Sequence, residues 1–83
     1  MRLPRDISGD DLAGLLRRHY GYRLARQKGS HMTMTATIQG TEHSVTIPRH
    51  RQLRAGTLNA IIFDIAERMG LTRDEIRQEL FGH

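Results

Sequence analysis

Met32-Thr33-Met34-Thr35-Ala36-Thr37-Ile38 alternates apolar and polar residues almost without a break. A period of two over seven residues predicts a half-buried strand, with the methionines, Ala36 and Ile38 facing a core and the threonines facing away. Just downstream, Gln39-Gly40-Thr41 reads as a turn, and Glu42 to Ile47 alternates again. His43, Val45 and Ile47 fall on one face of that second run, and Glu42, Ser44 and Thr46 on the other. Pro48 closes it, because proline has no N–H to give to a sheet ladder. Upstream, Lys28-Gly29 predicts a tight turn after a short run from Tyr22 to Gln27, in which Tyr22 and Leu24 alternate with Arg23 and Ala25. Three strands joined by short turns make an antiparallel meander.

The flanks change period. Ser8 precedes Asp10 and Asp11, and Leu12, Leu15 and Leu16 follow on one stripe. This predicts a helix over 9–20, capped by Ser8, with Ile7 as a staple and Gly21 as the stop. After the strands, 48–56 is a basic loop. Thr57 is expected to cap a second helix that carries Leu58, Ile61, Ile62, Ile65 and Met69 at helical spacing and ends at Gly70. Thr72-Arg73-Asp74-Glu75 has the form of a capping box, with Ile76 and Leu80 four residues apart behind it, so a short third helix is expected. The order helix, three strands, helix, helix predicts an α+β protein, with helices packed on one face of a three-stranded antiparallel sheet. At 83 residues the chain is expected to be one domain, with a core over about 8–71 and a helical extension over 72–81.

Charge is unevenly spread. The formal net charge is +4, but residues 17–54 alone carry eight basic residues and one acidic one, Glu42. A central stretch at +7 between flanks that together carry −3 is the electrostatic footprint of a polyanion binder. Cysteine is absent, which excludes disulfides, thiolate zinc ligands and a thiol nucleophile. The longest apolar run, Ala60-Ile61-Ile62-Phe63, is far shorter than a membrane span, and the polar start lacks the pattern of a secretory signal. A cytoplasmic protein is expected.

His31 is the leading candidate for chemistry. Period two puts it with Thr33, Thr35 and Thr37, on the polar face and away from the methionines. An imidazole ordinarily titrates near neutrality, which suits proton transfer. Lys28 stands three residues away across a glycine turn and is the nearest cation, with Arg26 and Arg49 next. Ser30, His50, Arg51 and Arg54 complete a set of expected RNA-binding residues, together with Thr57 at a helix start where free N–H groups suit a phosphate. His50 is a candidate for a phosphate contact or a second acid. His43 falls on the apolar side of its strand and reads as a partly buried structural residue. His19 suits its helix end, and His83 is terminal. His31, His43 and His50 match no common zinc spacing, so no metal is expected.

Lys28-Gly29-Ser30-His31, then Val45-Thr46-Ile47-Pro48-Arg49-His50, then Gly56-Thr57-Leu58 leading into Ile61-Ile62, resembles HicA toxins, over about residues 10–71. The resemblance implies a fold similar to the double-stranded RNA-binding domain and an mRNA-cleaving toxin. It implies inhibition by a HicB-like antitoxin and an essential histidine at the start of the second strand, which maps onto His31. It implies neither a cofactor nor a membrane partner. The segment from Arg73 to Leu80 departs from it as an extension. The alternative is a non-catalytic RNA-binding module built on a similar surface.

Overall fold

The computed structural model describes Pro4 and residues 6–82. The elements run α1 (Gly9–Tyr20), β1 (Arg23–Lys28), β2 (His31–Ile38), β3 (Thr41–Pro48), α2 (Ala55–Met69) and α3 (Arg73–Phe81). The three strands form one antiparallel sheet in the order β1-β2-β3. The expected α+β architecture is thus observed, and all its layers are set by burial on one side of β2. Met32, Met34 and Ala36 of β2 and Val45 and Ile47 of β3 are buried, and their cross-strand pairing keeps them on one face. Leu12 and Leu16 of α1 and Leu58, Ile62 and Ile65 of α2 close over them. Each such side chain gains roughly 1.5–3 kcal/mol from leaving water.

Local signals explain the helix ends. Ser8 Oγ accepts the Asp11 N–H at 2.9 Å, and the Asp11 carboxylate accepts the Ser8 N–H at 3.2 Å. This capping box satisfies two free donors reciprocally. Thr72 and Glu75 form the same box at α3, as the spacing predicts. Ile76 and Leu80 of α3 are buried in the common core, so the C-terminal helix is part of that core and not an appendage to it.

Two expectations are corrected. Thr57 does not cap α2. The helix starts at Ala55 with Arg54 in the cap position, and no side chain caps it. The reason lies one residue earlier. Leu53 is buried and its N–H bonds the Ile7 carbonyl at 2.8 Å, which fixes the chain before α2, and the Arg54 carbonyl already accepts the Leu58 N–H. Thr57 therefore lies inside the first turn. The second correction concerns β1, which does not simply alternate. Tyr22 is fully buried but precedes the strand, all six strand residues are exposed, and the pairing with β2 slips between Leu24 and Arg26. The turn that follows is Gly29-Ser30, with Lys28 and His31 paired on either side of it. Gly29 has φ 58°, a left-handed conformation that glycine adopts without steric cost.

The connection from Pro48 to α2 is held by backbone bonds. Arg49 N–H bonds the Ser30 carbonyl at 2.6 Å, Gly9 N–H bonds the His50 carbonyl at 2.9 Å, and Leu53 is tied to Ile7 as above. The start of α1 thus sits directly against the end of β3. A Cβ on Gly9 would lie 2.0 Å from the Pro48 carbonyl oxygen.

Candidate active site

The face of the sheet opposite the helices is the open one. Cross-strand pairs in an antiparallel sheet share a face, so the register defines it. His31, Thr33, Thr35 and Thr37 of β2 stand opposite Pro48, Thr46, Ser44 and Glu42 of β3, and opposite Lys28, Arg26 and Arg23 of β1. His31 is exposed on this face, as period two predicts. Lys28 is its direct cross-strand partner. Directly opposed residues hold their Cβ atoms about 4.5–5.5 Å apart, so the ammonium can reach whatever the imidazole touches.

Arg26, Lys28, Gly29, Ser30, His31, Thr33 and Thr46 line a depression of about 480 Å³. Four of the expected site residues (Arg26, Lys28, Ser30 and His31) therefore meet around one concavity, together with Thr33 and Thr46. The rest are elsewhere. Arg49 turns to the helix side, where Nε and Nη2 donate to the two carboxylate oxygens of Asp10 at 3.0 and 3.1 Å. It lines a second groove, between α1 and β1, with Leu24, Gln27 and Met32. His50, Arg51 and Arg54 are exposed along the connection to α2, outside the lining of the depression. Thr57 is half-buried in the first turn of α2.

Arg23 also belongs to this face, although it is not among the expected site residues. It stands opposite Thr35 on the open face and meets Glu42 at 3.5 Å. Beneath them Thr35 is buried and its hydroxyl bonds that of Ser44 at 2.9 Å. A signal for this was present in the sequence. Basic residues sit at the odd position 23 and then at the even positions 26 and 28, while Tyr22 and Leu24 are apolar at even positions. Strict alternation would aim Arg26 and Lys28 toward the core, where unpaired charge is costly. The slip at Ala25 removes that conflict.

His43 has a structural place, as expected. Its Nδ1 meets the Tyr22 hydroxyl at 2.8 Å and its Nε2 meets Asp64 at 3.1 Å. With both ring nitrogens engaged it ties β3 to α2 and to the connection between α1 and β1. Burial, with the Asp64 carboxylate nearby, pushes the Tyr22 hydroxyl up to about 12. Among the described residues no three histidine or carboxylate side chains converge to hold a metal ion, and no helix is long and apolar enough to cross a membrane.

Against known proteins, the family model described as the HicA toxin of bacterial toxin–antitoxin systems matches residues 9–71. The matched span runs from the first residue of α1 to just past α2, and takes in the whole open face. No curated protein and no solved structure matches the chain.

Proposed function

The chain belongs to the HicA toxin family of bacterial toxin–antitoxin systems, and from that premise we propose that it is a metal-independent endoribonuclease that cleaves mRNA with His31. The observation that carries this reading is an exposed imidazole paired across the strands with Lys28 in a basic depression. RNA offers a 2′-hydroxyl beside each phosphate. His31 takes the proton from that hydroxyl, and the oxygen attacks phosphorus. The bond from phosphorus to the 5′ oxygen then breaks, and the leaving oxygen takes a proton from the imidazolium or from water. The products are a 2′,3′-cyclic phosphate and a 5′-hydroxyl.

One positioned acid–base group supplies roughly 10²–10⁴-fold. Lys28 and Arg26 stabilise the charge that builds on the phosphoryl oxygens. Ser30 hydrogen-bonds the phosphate at the turn. His50, Arg51 and Arg54, exposed beyond Pro48, receive flanking RNA backbone. Arg49 and Thr57 contribute less, the first because it is paired with Asp10 and the second because it sits within a helical turn. With a single histidine the enzyme is slow, and its mRNA substrate places its action in the cytoplasm.

Membership of a toxin–antitoxin family implies an antitoxin partner. A HicB-like protein inhibits by lying over Lys28, Arg26 and His31, so that substrate and inhibitor compete for one face. Expression in a bacterium tests the reading. Wild type is expected to arrest growth, His31→Ala to be tolerated at equal abundance, and the cognate antitoxin to restore growth. Equal growth with a folded wild-type protein would instead point to an RNA-binding module without catalysis.

A further inference from the structure

The cations of β1 reach the open face by an irregular route. Arg26 and Lys28 stand opposite Thr33 and His31, and Arg23 stands opposite Thr35. Between them the register slips, so that Ala25 has no partner in the ladder. A bulge of this kind re-aims every side chain on one side of it. Without it, Leu24 would fall in line with Arg26 and Lys28, and Arg23 would face the other way. With it, three cations form one row, starting beside His31 and ending beside Glu42.

We infer that Arg23, Arg26 and Lys28 form a continuous phosphate track along β1, which seats an RNA chain so that one of its phosphates meets His31. The inference rests on the RNA-cleaving reading above and adds the path of the substrate. Same-face residues along a strand are about 6.6–6.8 Å apart, a stride that an unstacked polynucleotide backbone matches phosphate by phosphate. The row also runs without interruption into the depression that holds His31, which Ser30, Thr33 and Thr46 help to line. Of the residues paired on this face, only His31 carries an aromatic ring. Bases therefore find no stacking platform, and binding follows the backbone with little regard for sequence.

Glu42 occupies the far end of the track. Its bridge to Arg23 joins two side chains that are 62% and 65% exposed. Such exposed pairs are weak, so a phosphate displaces the carboxylate readily. Glu42 thus competes with RNA for Arg23, which gives the track two substitutions of opposite sign.

The test uses the full chain carrying His31→Ala, which keeps the face but does not cut, and a labelled single-stranded oligoribonucleotide titrated over a range of salt. The three track contacts contribute about −2 to the slope of log affinity against log salt, at roughly −0.7 per contact. Adding Arg23→Gln should weaken binding several-fold and flatten the slope by about 0.7. Adding Glu42→Gln should tighten binding. Adding Arg73→Gln, on the helix side, should change neither, which controls for net charge. All four proteins should melt alike, because every altered side chain is exposed. If RNA binds but Arg23→Gln behaves like Arg73→Gln, the track is overturned and the RNA-cleaving reading stands. If Arg23→Gln spares RNA and weakens the antitoxin complex, the row serves a protein and the track is again overturned. Absence of RNA binding by the parent protein overturns both.

Discussion

Lys28 and His31 face each other because a two-residue turn, Gly29-Ser30, leaves them as the last pair of the β1–β2 ladder. Under the proposed mechanism that placement makes the lysine a partner in the reaction and not only an attraction for RNA. Lys28→Ala is therefore expected to lower kcat by about 10²-fold, the typical loss when one charge-stabilising donor is removed. Lys28→Arg should recover part of it, and single-turnover cleavage measures both. A loss confined to KM would make Lys28 a binding residue alone. Gly9 is the other position where one atom decides much. Its backbone lies against Pro48, so a methyl group cannot enter without moving β3 or α1. Gly9→Ala is expected to destabilise the protein by about 1–3 kcal/mol in urea unfolding, the usual cost of overpacking. An unchanged midpoint would mean that this contact is looser than described. Sequence reading placed His31 on the polar face and Lys28 close to it because periodicity and turn chemistry act locally. It could not find the Gly9 contact, which joins residues about forty positions apart.

Elements differ in how much of them was legible. β2 and β3 were read correctly because one of their faces is buried, and burial enforces a strict period of two. β1 was not, because it is an exposed edge strand whose two faces are under weaker constraint, and a bulge there shifts the phase at little cost. α1 and α3 announced their starts through Ser8 and Thr72, whose side chains do the capping. The start of α2 was misplaced at Thr57, since the actual boundary is set by burial of Leu53 and not by any side-chain cap. α3 lies outside the family match, yet Ile76 and Leu80 are buried in the core shared with α1 and α2. Tyr20 of α1 also donates to Glu79 of α3. Ile76→Ala should therefore cost about 2–5 kcal/mol of global stability by chemical unfolding, with a single transition. Separate, earlier melting of α3 with the rest unaffected would make that helix an appendage.

At the scale of the molecule, charge is segregated. The open face and the connection to α2 carry Arg23, Arg26, Lys28, Arg51 and Arg54 against Glu42, whereas the helices mix Arg17, Arg18, Arg68, Arg73 and Arg77 with seven carboxylates. A polyanion is thus drawn to the sheet and away from the helices. The sequence showed this imbalance as a basic middle between acidic flanks, and the fold turns it into two sides. Tyr22, buried, and Tyr20, half-buried, give the whole protein a pH limit. Burial raises Tyr22 to about 12, and burial with the Glu79 contact raises Tyr20 above the ordinary tyrosine range. An unfolded tyrosine ionises near 10, so above that pH the unfolded chain binds fewer protons than the folded one. Their contribution to stability is complete below pH 10 and falls above it, that of Tyr22 being lost as pH rises through 12 and that of Tyr20 at still higher pH. The melting temperature should fall over that interval, and a flat profile to pH 12 would contradict the burial described for these two rings.

The central claim is that His31, on the open face, transfers the proton that cleaves RNA. Mass spectrometry of the product ends tests it most directly, with a single-stranded RNA incubated with wild type and His31→Ala in the presence of EDTA. The account predicts 2′,3′-cyclic phosphate and 5′-hydroxyl ends from wild type, and a yield at least about 10²-fold lower from the variant. Undiminished cleavage by His31→Ala, or 5′-phosphate ends that vanish with EDTA, would contradict it.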